Sequence, residues 1–372
     1  TRVRKKWDRI TDGRWILPKD QVDEALHRET GWWQYDNRGS LNAVYAFLRS
    51  LGVRWYMLGE LGEIVPRTDS IELPDVDRIV RPDFAMRMMS FVPRYYGRAR
   101  KKDMLWHYRL GLNYGKDVVS LGLGHGIGNV HGRDWMKKSH PEYYALWDGK
   151  RATDYIRRGA PCLSSKELFH SNINYVRTVF DVFPEEQMVS VMPADNYEQP
   201  CECALCEGKN TPERPGRWGN LSDYVWGYVN NVAKKVYKTH PEKNVICWAY
   251  DNHRLLPTRV GEFSPNLAVG FAAGVRDRRH HPELFGPGWP DVDTLRRAWY
   301  EKQKAGIMLN WDYYLKSQPR RDRWVGVPVY FPHAIAEDLQ ALRAIPAMKG
   351  ERVAVPTNRP KQPLPKGATA WG

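Results

Sequence analysis

Four aspartates follow apolar runs of strand-like composition. Asp195 comes after the run 188–192, Asp251 after 245–250, Asp277 beyond 267–271, and Asp312 closes 307–311. A carboxyl at the C-terminal end of a parallel strand can reach a cleft shared with its neighbours. Two such groups can divide the work of breaking a glycosidic bond. One, protonated, assists the leaving oxygen; the other, ionised, activates water or attacks carbon. Asp195 and Asp312 are the expected pair, as acid and base respectively. The competing role is ordinary, because Asp after a strand also caps the next helix or shapes a turn.

Side chains of other types surround these positions in sequence. His125, within Leu123-Gly124-His125-Gly126, and His131 lie in a glycine-rich loop after the run 118–123. Glycines there let backbone approach a ligand closely, and a neutral His could bond a sugar hydroxyl or carboxylate. A solvated loop histidine is the plain alternative. Gly122, Gly124, Gly126 and Gly128 do not make a phosphate loop, since no Lys-Ser/Thr follows. Tyr250, Trp311, Tyr313, Arg276 and Asn196 complete the expected substrate-binding set. Aromatic faces suit pyranose rings, and the planar fork of Arg meets a carboxylate with two hydrogen bonds.

Cys201, Cys203 and Cys206 form a C-x-C-x-x-C cluster after Asp195, with Cys162 and Cys247 elsewhere. Three thiolates so close could hold a structural zinc if Cys162 or a His supplied a fourth ligand. A disulfide plus free thiols competes, particularly in an exported protein. No cofactor is expected to be required for the chemistry.

The elements that would position these residues are legible in outline. Ser40 precedes the stripe Leu41, Val44, Tyr45, Leu48 and Leu51, a helix with a plausible cap, and Gly52 ends it before a strand over 53–57. Residues 1–80 read as a small N-terminal α/β domain. Strand candidates follow at 86–92, 118–123, near 162, at 188–192, 245–250, 267–271, 307–311 and near 348. Helices intervene: Ser164 and Glu167 have capping-box spacing, Leu221 to Val236 carries an apolar face, and Asp291 opens another. Eight strands alternating with helices over 81–350 predict a (β/α)8 TIM-type barrel of the α/β class. An open doubly wound sheet is the alternative, without a dinucleotide-binding turn to support it. Residues 351–372 read as a proline-rich basic tail.

Charge and composition narrow the partners. The 372-residue chain carries a formal net charge of +14, 42% hydrophobic residues, 16 Trp and 20 Tyr. No apolar run is long enough to span a membrane. No leader is visible in the first residues, Thr1-Arg2-Val3-Arg4-Lys5-Lys6. Basic clusters at 98–102, 276–279 and 320–323 are scattered, and no nucleic-acid-binding signature accompanies them. An acidic polysaccharide or oligosaccharide would satisfy the same charge.

Several segments together resemble one uncharacterised bacterial domain family related to α-glucuronidases and β-N-acetylhexosaminidases. They are Arg38-Gly39-Ser40-Leu41-Asn42 with Gly52-Val53-Arg54-Trp55-Tyr56, His140-Pro141-Glu142-Tyr143-Tyr144, Pro161-Cys162-Leu163-Ser164-Ser165, Met192-Pro193-Ala194-Asp195-Asn196 leading into the cysteines, and Trp311-Asp312-Tyr313-Tyr314. The resemblance covers most of residues 30–350 in order. It implies an N-terminal α/β domain, a catalytic-type barrel and glycoside hydrolysis. Hexosaminidases that use the substrate's acetamide carry Asp-Glu where this chain has Asp195-Asn196, and Asn cannot serve as an acid.

A glycoside hydrolase acting on a uronate or amino-sugar glycan is therefore the first expectation, with a periplasmic, extracellular or cell-surface location. A non-catalytic glycan-binding protein on a degenerate barrel is the second. A polyanion-binding structural protein is the third.

Overall fold

The computed structural model of the chain describes residues 2–17, 37–57, 59–73, 75–91, 100–112, 124–155, 158–195, 197, 199–214, 218–273, 291–312, 314 and 332–355. Its centre is a six-stranded, all-parallel sheet. In spatial order it runs β3 (Met86–Phe91), β10 (Met348–Val355), β9 (Met308–Asp312), β8 (Leu267–Ala272), β7 (Asn244–Ala249) and β6 (Met188–Ser190). The sheet curls into a half-barrel within a mixed α/β chain. The sheet's last strand in chain order, β10, pairs with its first, β3, Gly350 facing Met86 and Val355 facing Phe91. Residues 351–355 therefore belong to β10, which corrects the sequence expectation that an extended tail starts at Glu351. The expected strand at 118–123 lies outside the described residues. The weak candidate near Cys162 is no strand: Pro161 makes a single antiparallel bridge to Tyr144.

Parallel strands covered on both faces read as continuous apolar runs, and all six residues of β8 are buried. Helices cover the outer face. In α7 (Ser222–Tyr237) the stripe Val225, Val229, Val232 and Val236 is fully buried, each side chain worth roughly 1.5–3 kcal/mol on leaving water. Helix α6 (Lys166–Val182) packs beside it, with Asn172 Nδ2 donating to Tyr228 Oη at 3.1 Å. The cap of α6 is Ser165 rather than the expected Ser164: Leu168 N donates to Ser165 Oγ at 3.2 Å. Asp291 caps α8 (Val292–Lys302) as its position in the sequence predicts, accepting from Thr294 N at 2.9 Å. Asp291→Ala should cost about 1 kcal/mol in chemical denaturation; no change would show that the cap contributes nothing.

The N-terminal segment divides in two. Helix α1 (Arg2–Thr11) docks onto the half-barrel, with Trp7 stacked on Phe183 at 6.0 Å and edge-on to Tyr175 of α6 at 5.9 Å. Helix α2 (Gly39–Ser50), β1 (Arg54–Trp55) and β2 (Glu63–Ile64) form a small separate unit against α3 (Arg100–Arg109). Trp106 Nε1 donates to Trp55 O at 3.0 Å, and Arg109 meets Glu63 at 2.9 Å. Ser40 lies inside α2, whose cap position is Arg38 without a side-chain bond, so the expected serine cap is not formed.

Candidate functional site

Strand alternation sorts the strand-end residues onto two faces of the sheet. Asn310 and Glu351 face each other across β9 and β10, and both bond to groups on the helix side. Arg296 of α8 donates to Asn310 Oδ1 at 3.0 Å and to Asp338 of α9 (Pro332–Arg343) at 2.5 Å. Trp311 and Arg352, one residue along each strand, point to the opposite, concave side. There the Arg352 guanidinium sits 4.0 Å from the half-buried Trp311 ring, and Trp248 of β7 meets Trp311 edge-on at 5.3 Å. Gly270 of β8 stands opposite Trp248, and a Cβ there would lie 2.3 Å from the indole. Its missing side chain is what lets that ring lie across the strand.

Tyr250, two residues beyond Trp248 and so on the same side, leads to a polar cluster at the strand ends. Its hydroxyl donates to Asp195 Oδ1 at 2.9 Å. His125 Nε2 stands 3.8 Å from the same oxygen, and His125 Nδ1 lies 2.6 Å from Pro193 O. The loop bearing His125 is seated close against β6: a Cβ on Gly126 would fall 1.8 Å from Ser190 O, and Ser190 Oγ donates to Gly124 O. Burial lowers the His125 pKa, opposed by its bond to Pro193 and by the Asp195 charge. A neutral ring bonded at Nδ1 leaves Nε2 toward Asp195. Asp195 retains 46% side-chain exposure, so the carboxylate is open to a ligand. The chain turns sharply after Tyr250 through Asp251, whose φ of +45° is a left-handed conformation that Asp tolerates better than most residues.

Of the expected residues, the structure thus brings together His125, Asp195 and Tyr250, with Trp311 on the same concave face. It does not bring Asp312 to them. Asp312 shares the helix-facing side with Asn310 and is 0% exposed. It acts electrostatically on the buried groups Arg254, Arg296, Tyr314 and Glu351. Burial lowers Arg254 to about 10, with Asp312 and Asp251 opposing that shift. Tyr314 Oη contacts both Asp338 Oδ2, at 2.5 Å, and Glu351 Oε1, at 2.7 Å. Burial, with Asp338 and Asp312 nearby, pushes Glu351 up to about 7, opposed by its hydrogen bonds with Tyr314 and Asn310.

His131 is also apart from the cluster. It closes the short helix α4 (Gly128–His131), is 0% exposed, and stacks edge-on with Tyr144 at 5.2 Å. Its Nε2 contacts Gly159 O at 3.2 Å, and burial lowers its pKa to about 4. Asn196, Arg276 and Tyr313 lie outside the described residues. Trp248 and Arg352 had no motif in the sequence; a period-two reading of β7 and β10 from Tyr250 and Trp311 is the signal that finds them.

A second assembly lies beneath the loop after Asp195. Cys162 joins Cys201, Cys203 and Cys206, and all four sulfurs fall within 4.8 Å of one another. Sγ–Sγ distances are 3.8 Å for Cys162–Cys203 and 3.6 Å for both Cys162–Cys206 and Cys203–Cys206, and none is disulfide-bonded. Hydrogen bonds from the Cys162 and Cys201 thiols hold Cys206 well below the usual thiol range. Those thiols are raised in turn, Cys201 to about 11.

Residues 57–314, well over half of the chain, match the family model described as Domain of unknown function (DUF4838). The chain belongs to the DUF4838 family. No curated protein matches it. In this DUF4838 chain the matched span includes the aromatic surface on β7 and β9, the Asp195 cluster and all four clustered cysteines. It stops before β10, which supplies Arg352. A cleft of about 490 Å³ between α6 and α7, lined by Ser164, Lys166, Lys209, Tyr224, Tyr228 and Arg259 among others, shares no residue with the Asp195 cluster. Among the described residues no helix is long and apolar enough to cross a membrane.

Proposed function

We propose that this DUF4838 chain binds a glycan on the concave, strand-end side of a (β/α)8 barrel and hydrolyses it with Asp195 as the working carboxyl. The observation that carries the reading is the convergence of His125, Asp195 and Tyr250 beside the Trp248–Trp311–Arg352 surface. Indole faces and edges supply apolar area for a pyranose, while Tyr, His and carboxylate supply directional hydrogen bonds. A guanidinium on that face, with the net charge of +14, favours a sugar that bears a carboxylate. Strand order supports a ring: β6 to β10 follow one another and β10 returns to β3, leaving the expected strand at 118–123 and a third-strand position between β3 and β6. The resemblance of the sequence to an uncharacterised family related to α-glucuronidases and β-N-acetylhexosaminidases supports this architecture and reaction, and the reading places the protein in the periplasm, outside the cell or on its surface.

Hydrolysis needs a second group besides Asp195. In this reading the second group is not Asp312, which is turned to the helices; Asp277, the other aspartate of the sequence pattern, lies outside the described residues. The same burial of Asp312 favours a second reading, in which the barrel binds a glycan without cutting it. Reducing-sugar release from uronate- and amino-sugar-containing oligosaccharides, alongside glycan-array binding, separates the two. Asp195→Asn is expected to cut release by about 10²–10⁴-fold while retaining array binding, and Trp311→Ala to weaken both. Binding by the wild type with no release, unchanged in Asp195→Asn, would establish the second reading and sink the first.

A further inference from the structure

Cys162, Cys201, Cys203 and Cys206 come from two separate parts of the chain. Cys162 precedes α6, and the other three lie in the loop between β6 and α7. The fold brings four sulfurs to one point, and their spacing is informative. Zinc bonded to four thiolates at about 2.3 Å sets a tetrahedral edge of about 3.8 Å. The three sulfur–sulfur distances of 3.6, 3.6 and 3.8 Å match that edge. A disulfide instead draws two sulfurs to about 2.0 Å and leaves the other two without a role.

Hydrogen-bonding groups surround the sulfurs. Leu146 N donates to Cys201 Sγ at 3.2 Å. Tyr224 Oη lies 3.1 Å from Cys206 Sγ and accepts from Leu163 N at 2.8 Å. Ser164 Oγ lies 3.1 Å from Cys206 Sγ and accepts from Lys209 Nζ at 2.9 Å. Such outer-shell donors orient thiolate ligands and support their charge. Cys203 and Cys206 form a tight knuckle, Cys206 N donating to Cys203 O at 2.8 Å.

We propose that these four cysteines bind one zinc ion in a closed structural site. Four protein ligands leave no open position, so the ion takes no part in hydrolysis. Soft sulfur donors in tetrahedral array select zinc over the oxygen-preferring divalent cations. The ion ties the start of α6 to the loop that runs on from Asp195. That loop also grips the hairpin of β4 (Leu146–Trp147) and β5 (Lys150–Arg151), with Glu202 N donating to Leu146 O at 2.9 Å and Trp147 Nε1 to Pro200 O at 3.1 Å. Zinc therefore fixes the far end of the segment carrying the candidate carboxyl, and its presence is independent of what that carboxyl does.

Elemental analysis of the purified full chain should find about one zinc per chain. Replacement by Co(II) should give the thiolate-to-metal charge-transfer and visible bands of a tetrahedral tetrathiolate. Cys162→Ser should lower the zinc content below about a tenth of an equivalent, while Cys247→Ser, altering a buried cysteine of β7 outside the cluster, should leave it unchanged. Should Cys162→Ser not fold, alkylation of the wild type decides: all four clustered thiols shielded until a chelator is added supports the site. Wild-type chain free of zinc after growth in zinc-supplemented medium, a disulfide among the four found by mass spectrometry, or iron in place of zinc would each overturn it.

Discussion

Replacing Arg296 with methionine should cost the fold about 3–5 kcal/mol, the cost of stranding a buried charge. At 1% exposure its guanidinium bonds Asp338 through both terminal nitrogens, Asp293 at 3.1 Å and Asn310 at 3.0 Å. Asp338 is itself fully buried, and Asp312 and Glu351 lie in the same layer. Without Arg296 that layer holds more carboxyls than Arg254 can balance. Adding Asp338→Leu to Arg296→Met should recover a large part of the loss, because an apolar pair of similar volume can replace a buried ion pair at little cost. Urea denaturation of the wild type, Arg296→Met and the double variant measures this. A loss below about 1 kcal/mol in Arg296→Met would mean that the cation does not hold the layer together.

Lowering the pH from 6.5 toward 4 should unfold the protein. His107, His131 and His253 are each 2% exposed or less, and burial lowers their pKa values to about 4, 4 and 3. Their folded values lie below the unfolded value, so the unfolded chain binds protons that the folded chain refuses. Stability from these groups is complete above pH 6.5 and is lost as pH falls toward the folded values. At about 1.4 kcal/mol per unit, each contributes on the order of 3 kcal/mol at the acid end, and together they rival the whole stability of a typical domain. Glu351 works the other way. Its folded value of about 7 lies above its ordinary one, so it destabilises progressively as pH rises from about 4.5 to 7. Glu351→Gln, which keeps a neutral group at that position, should therefore stabilise the protein at pH 8 and leave the acid transition in place. Circular dichroism against pH for both proteins reads the two effects. A wild type that stays folded at pH 4, or a Glu351→Gln chain less stable than wild type at pH 8, would contradict them.

How much of this the sequence carried depends on the physical signal each feature leaves. The strands at 188–192, 245–250, 267–271 and 307–311 were legible because parallel strands buried on both faces are uninterrupted apolar runs. The Asp291 cap was legible because its partner lies three residues away. What failed depended on the third dimension. Asp195 and Asp312 look equivalent as acids after strands, yet a single residue of strand phase decides which face a side chain takes. Trp311 and Asp312 are adjacent and point oppositely. His125 and His131 likewise share one loop motif, but the first reaches Asp195 and the second seals the core against Tyr144. Cys162 was one of two kinds of candidate for a fourth ligand, and only the fold selects it over a histidine. Residues 351–355 read as the start of a tail because Pro356 follows at once; their pairing with β3 and β9 is long-range and leaves no local mark. Arg352 was hidden for the same reason.

The central claim is that sugar meets protein on the concave face, beside Asp195 and away from Asp312. A crystal structure of the full chain soaked with a uronic acid monosaccharide tests it most directly. The account predicts a sugar ring against Trp311, its carboxylate toward Arg352 and a ring hydroxyl or glycosidic oxygen within hydrogen-bonding reach of Asp195. Sugar seated only in the α6–α7 cleft, with the Trp311 surface empty, would contradict it.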